Sequence, residues 1–302
     1  MASPASAAAV AAVVAADNMA RRDPDEDLIG QVIDAGAREH YADAALYDHE
    51  YRRRRADVNF YRELARLGKG KRRKRILELG AGSGRVTIPL ARDGHQIVAL
   101  DQAPSMLARL RKRVLALPEA ARGRVEAVEG DLCTFEVPGT FELVIAAFNV
   151  FEHLYTRGEV EACLRRVLAH LAPGGALAFD VQLPDLEWLS RDPSKRWAKT
   201  KFTDPSSGHR LMYSTNHDYD PVSQIAMIRI FYDPIEGSPP PGRVVQLSQR
   251  KFFPAELEAL VAHAGMVMVG RYGDFSGGPL GPTSESQILV CEAAVPRRKP
   301  GR

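Results

Sequence analysis

The sequence has little cysteine. Cys133, Cys163 and Cys291 are its only three, odd in number and far apart. They form no CxxC pair and no zinc-ligand spacing, which argues against a disulfide scaffold or a structural zinc site and leaves no metal to expect. A reducing cytoplasm fits this cysteine usage. An excess of charge of one sign is also missing: 41 basic against 38 acidic residues leave a net +3. That is too slight to argue for nucleic acid on its own. No uncharged apolar run reaches the ~18 residues of a membrane-spanning helix. What is present, 302 residues at 45% hydrophobic and 26% charged, is the composition of a folded protein of one large domain or two smaller ones.

Met1 to Ala16 is alanine-rich and uncharged and lacks the basic start of a secretory signal. Residues 1–25 read as a disordered tail. From 26 to 70 apolar residues recur at helical spacing, among them Leu28, Val32, Phe60 and Leu64. This segment carries Tyr41, Tyr47 and Tyr51, then the basic runs Arg52 to Arg55 and Lys69 to Arg75. Such runs are usually solvated faces; the sharper alternative is an anionic partner, either RNA or an acidic substrate.

Between 71 and 184 strand and helix signals alternate. Strands are expected at 76–79, 96–100, 125–128, 141–147 and 176–181, with helices at 85–92, 104–117 and 159–171. That alternation predicts an α/β fold with a doubly wound parallel sheet. In 185–252 the period changes to three strands, 210–219, 224–232 and 243–252, which reads as an antiparallel insertion. The span 253–295 returns a helix, 254–264, and two strands, 266–272 and 287–293, and 296–302 is a basic tail.

The sharpest signal is Ile76-Leu-Glu-Leu-Gly-Ala-Gly-Ser-Gly84. Glycines 80, 82 and 84 stand between a strand and a helix, where backbone must turn tightly and approach a ligand. A dinucleotide site would want G-x-G-x-x-G, which is absent and disfavours a nicotinamide enzyme. Asp101 ends the next strand and Asp131 the one after, so three consecutive strands bring polar groups to one sheet edge. That edge is where open α/β sheets bind ligands.

The segment from Ile76 to Asp180 resembles the class I S-adenosylmethionine-dependent methyltransferases. E-x-G-x-G-x-G falls on Glu78, Gly80, Gly82 and Gly84, the ribose acid on Asp101, and the adenine-side acid on Asp131 beside Leu132. Leu171-Ala-Pro-Gly-Gly175 matches the turn into strand five. The resemblance implies S-adenosylmethionine as cofactor, S-adenosylhomocysteine as product, and a Rossmann-like sheet of seven strands, the last antiparallel. It implies cofactor contacts at Glu78, Gly80, Ala81, Gly82, Gly84, Arg85, Asp101, Gln102, Met106, Gly130, Asp131, Leu132, Phe148 and Asn149. The Asn/Asp-Pro-Pro-Tyr/Phe motif of nucleic-acid base methylation is absent, and Cys133 lies one strand too early for a cytosine-type nucleophile.

Acceptor-side candidates are His153 and Asn149 after strand four, Tyr47 in a helical lid formed by 26–70, and Tyr213, Asn216, His217 and Arg229 in the insertion. The expected activity is direct in-line methyl transfer to a nitrogen, less so an oxygen, of a small molecule. RNA methylation and a non-catalytic cofactor-binding module are the alternatives, and a homodimer is left open.

Overall fold

The computed structural model describes residues 24–67, 73–235 and 242–294. The expected tail, apart from Pro24 and Asp25, lies outside these residues, as do most of the second basic run, the loop at 237–241 and the basic tail at 296–302.

Five strands form a parallel array: β1 (Arg75–Leu79), β2 (Gln96–Asp101), β3 (Val125–Glu129), β4 (Phe141–Ala146) and β5 (Leu171–Gln182). Two more, β10 (Met266–Tyr272) and β11 (Ser286–Ala293), complete a sheet of order β10-β11-β5-β4-β1-β2-β3. The last strand inserts antiparallel between β5 and β10. The architecture is thus the expected doubly wound seven-stranded sheet. Its central strands are largely apolar because helices cover both faces. One face packs Phe151, Phe179, Leu164 and Leu257, the other Tyr61, Leu90, Leu107 and Leu110.

The crossover helices carry their own stop and start signals. The helix Thr87–Asp93 ends at Gly94, whose φ of 101° is left-handed. The helix Pro104–Leu115 opens with its proline in the first turn. Arg157–His170 begins with a Thr156–Glu159 capping box.

The insertion holds four antiparallel strands, β6 (Trp197–Thr203), β7 (Arg210–Asp220), β8 (Ile225–Pro234) and β9 (Arg243–Arg250), not three. The sequence hid β6 because it is an edge strand whose lysines and threonines face solvent. The N-terminal segment is four helices: α1 (Pro24–Gly36), α2 (Glu39–Ala42), α3 (Ala44–Tyr51) and α4 (Ala56–Arg66). α1 lies against β9 at Gly36, where a Cβ would stand 2.1 Å from Ser248 Oγ. Glu39 accepts a hydrogen bond from the Gln246 N–H at 2.8 Å, satisfying a donor on the edge strand β9. α4 joins the other body: Arg62 donates twice to Asp93, at 2.7 and 2.8 Å. The N-terminal helices therefore touch both sheets.

Candidate active site

A cleft opens at the carboxyl edge of the large sheet, beneath α2 and α3. The glycine loop forms its floor. Gly80, Gly82 and Gly84 all have left-handed φ, 62°, 55° and 87°. Their surroundings differ. A Cβ on Gly80 would meet Val150 at 2.5 Å and one on Gly84 would meet Leu110 at 2.4 Å, but at Gly82 nothing lies within 4 Å. Gly80 and Gly84 are small for packing, and Gly82 leaves its backbone bare to the cleft. The Ala81 N–H donates to Leu100 O at 2.9 Å and pins the loop to β2.

Asp101 accepts from the Gly82 N–H at 2.7 Å and from the Ala103 N–H at 2.8 Å. Burial raises its pKa, opposed by these backbone donors. Each carboxylate oxygen keeps a further lone pair for a ligand hydroxyl. Gln102, Met106, Gly130 and Leu132 continue the wall beyond it. Asp131 stands between two of these but turns its Oδ1 to the Cys133 N–H, at 2.7 Å. Glu78 lies below the floor and accepts from Thr87 Oγ1 at 2.5 Å. Burial pushes its pKa up to about 7. Arg85 grips Asp57 of α4 with two hydrogen bonds and lays its guanidinium 4.5 Å from the Phe148 ring centre.

The turn after β4 is strained. Phe148 and Asn149 both have left-handed φ, 67° and 64°, uncommon without glycine. Asp180, buried at the end of β5, holds the turn by accepting both N–H groups, at 2.8 and 3.3 Å, and also accepts from Tyr61 at 2.5 Å. Burial lifts the Asp180 pKa to about 6. Phe148 lines the cleft; Asn149 is not among its lining residues.

His153 also lines the cleft, within a chain of defined direction. The Ser248 carbonyl can only accept, so Tyr155 donates to it, at 3.1 Å. The Tyr155 oxygen then accepts from His153 Nδ1–H at 3.2 Å, and His153 Nε2 accepts from the Tyr41 hydroxyl at 2.7 Å. Burial, with His40 and Lys251 nearby, drops the His153 pKa to about 4, so the ring is neutral at pH 7. Burial raises the Tyr41 pKa, which keeps its proton on oxygen. The Tyr41 oxygen retains accepting capacity toward the cleft. Tyr47 completes the roof, 5.7 Å from Tyr41 and 4.7 Å from Tyr51 between ring centres. The roof is tied down where Ser83 donates to Asp48 at 2.5 Å and Ser105 to the Tyr41 carbonyl at 2.8 Å.

The insertion candidates lie elsewhere. Asn216 bridges the Pro193 carbonyl and Arg229, both at 2.8 Å. His217 stacks on Trp188, 3.7 Å between ring centres. Tyr213 packs against Tyr232. Cys133 donates weakly to the Glu159 carbonyl at 3.6 Å, and burial raises its pKa to about 11, a packed thiol as expected. Sequence reasoning missed Tyr155 and Val150; neither stands in a motif, and only tertiary contact reveals them.

These features meet the needs of an adenosyl sulfonium ligand: a bare backbone floor, a strand-end carboxylate and an apolar wall. Residues 76–175 match the family model described as a methyltransferase domain. A cypemycin N-terminal methyltransferase from Streptomyces sp is 27% identical over 72% of this chain and 82% of its own length.

Residues 76–175 form a methyltransferase domain, on the fold of the S-adenosylmethionine-dependent methyltransferases.

Its cofactor is S-adenosylmethionine. The methyltransferase also superposes on solved structures. The CcbJ methyltransferase from Streptomyces caelestis matches with a TM-score of 0.68 at 23% identity, covering 84% of this chain and 98% of that one. The glycopeptide N-methyltransferase MtfA, solved with S-adenosylmethionine, matches at 0.52 and 21%, covering 79% and 94%. At these identities the structures show the shared fold. Among the described residues no helix of the methyltransferase is long and apolar enough to cross a membrane.

Proposed function

We propose that this methyltransferase transfers a methyl group by direct in-line displacement to a nitrogen of a small-molecule or peptide acceptor. The cofactor supplies an activated methyl on sulfur. Gly80, Gly82, Asp101, Gln102, Met106, Gly130, Leu132 and Phe148 would hold it, with Glu78, Ala81, Gly84, Arg85 and Asn149 shaping the loops behind and Asp131 at the rim. The chain's own tasks are alignment and exclusion of water.

The observation that carries the nitrogen assignment is the Tyr41–His153 pair on the cleft wall. An amine needs only to arrive neutral and present its lone pair, and the Tyr41 oxygen can accept an amine N–H while that lone pair faces the methyl. An alcohol must lose its proton during attack and needs a strong base. A histidine whose pKa is lowered to about 4 is a poor one. Once the nitrogen gains its fourth bond, the excess proton leaves to water.

The four N-terminal helices act as the lid, the large sheet as the cofactor core and the four-stranded sheet as the acceptor-side frame, to which Tyr155 ties the histidine. Asn149 and Tyr47 serve by holding the turn and roofing the cleft. A panel of amines and matched alcohols, incubated with labelled methyl donor, tests this reading. Amines are expected to be labelled. Labelling confined to the alcohols would contradict it.

A further inference from the structure

A second, wider cleft lies at the same carboxyl edge, between residues 53–57 and the loop from Gly273 to Ser286 that joins β10 to β11. One wall is Arg53, Arg54 and Arg55, all exposed. Among the described residues none of the three has an ion-pair partner. The nearby acids are engaged: Asp57 by Arg85 and Asp48 by Arg109. Asp274 spends an oxygen on the Ser276 and Gly278 N–H groups, at 2.7 and 3.1 Å. Glu285 is the remaining acid on the rim. The opposite wall offers the hydroxyls of Thr283 and Ser284. Phe148, which lines the first cleft, sets its ring 5.4 Å from the guanidinium of Arg54, which lines the second.

Three consecutive exposed arginines with no ion-pair partner among the described residues leave uncompensated positive charge on this wall, and their planar forks match carboxylate and phosphate oxygens. A small oxyanion suits this place better than RNA. The chain's net charge of +3 gives no wider basic field to follow a phosphate backbone.

We propose, building on the methyl-transfer reading above, that the acceptor is an amine carrying a carboxylate or phosphate, and that Arg53, Arg54 and Arg55 read this oxyanion across the Phe148 ring from the transferred methyl. The arginines act as specificity residues: they select the acceptor and leave the cofactor alone.

The test titrates the full chain with pyrophosphate and with citrate by calorimetry, with and without S-adenosylhomocysteine, against an R53A/R54A/R55A variant. One saturable anion site is expected, weakened about ten-fold or more in the variant, with S-adenosylhomocysteine affinity unchanged within about two-fold. The better-bound anion tells phosphate from carboxylate. Because the anion titrations are also run without nucleoside, failure of the cofactor reading and failure of this one appear separately. No saturable anion site, or equal binding by the variant, overturns the proposal. So does a 20-nucleotide single-stranded RNA that binds far more tightly than either anion and loses that binding in the variant. In turnover, amines with a free carboxylate or phosphate should outrun their neutral amides or alcohols, and the variant should erase that preference; equal rates within both pairs in the unaltered chain would refute it.

Discussion

The proposed cofactor side and the proposed acceptor side of the cleft are built on different principles. The cofactor side is backbone geometry at strand ends: three left-handed glycines, a strand-end aspartate and the helix that follows. Apart from Phe148 it lies within 76–132, and each part follows from its neighbours in sequence. The acceptor side joins Tyr41, His153, Tyr155 and Ser248, drawn from a lid helix, the turn after β4 and the edge strand β9. Local sequence dictates the first kind of site. The second exists only once the chain has folded.

The contrast is sharpest within the glycine loop, where the largest effects are expected. Gly84→Val drives a side chain into Leu110. Overpacking and left-handed strain together should cost about 2–5 kcal/mol of stability. Gly82→Val meets open space and carries only the left-handed strain, about 1–2 kcal/mol, so the fold should survive while S-adenosylhomocysteine affinity falls by about 100-fold or more. Calorimetry beside thermal melts separates the two. If both variants unfolded alike, the loop would be structural and not a ligand floor.

On the acceptor side, His153→Ala removes the contact that orients Tyr41 and should lower kcat by roughly 100-fold through misplacement of the acceptor, leaving S-adenosylhomocysteine binding intact. Steady-state kinetics with a labelled amine acceptor reads the first and calorimetry the second. A matching loss of nucleoside affinity would merge the two sides that the geometry keeps apart. Asp101→Ala should do the reverse, weakening S-adenosylhomocysteine by about 1.5–3 kcal/mol through lost charge-assisted hydrogen bonds. Unchanged affinity would remove Asp101 from the cofactor side.

The smallest expected effect is on stability in acid. Burial lowers the pKa of His40, on the lid, from 6.5 to about 4. Between those values the unfolded chain binds a proton that the folded chain does not, so stability falls as pH drops from 6.5 to 4 and levels off below. Glu78 and Asp180, whose pKa values are raised, work in the opposite sense, but they are common to wild type and variant. His40→Phe should therefore lose less stability than wild type over that window. Parallel denaturant midpoints at pH 7 and 5 check it, and identical losses would count against a buried neutral His40.

The same division explains how much was legible. The strand–helix alternation marked the parallel strands, because it is a local pattern with one stable packing; the family resemblance supplied the count of seven with an antiparallel last strand, and eight of the expected contacts, Gly80, Gly82, Asp101, Gln102, Met106, Gly130, Leu132 and Phe148, line one cleft. The helix after the loop starts at Thr87 and not at Arg85, since the left-handed turn at Gly84 runs on into the chain. Arg85 proved to hold Asp57 across the lid, a pairing that no spacing encodes. The edge strand β6 stayed hidden because solvent-facing lysines erase its alternation. Insertion residues that looked reactive, such as His217, are occupied by neighbours invisible in the sequence.

The most direct test of the account is calorimetric titration of the unaltered chain with S-adenosylhomocysteine, with NAD in parallel. One site of micromolar affinity for S-adenosylhomocysteine, and none for NAD, is the predicted result. Binding of NAD, or of neither nucleotide, would contradict the reading of the glycine loop and Asp101 on which everything above the sheet depends.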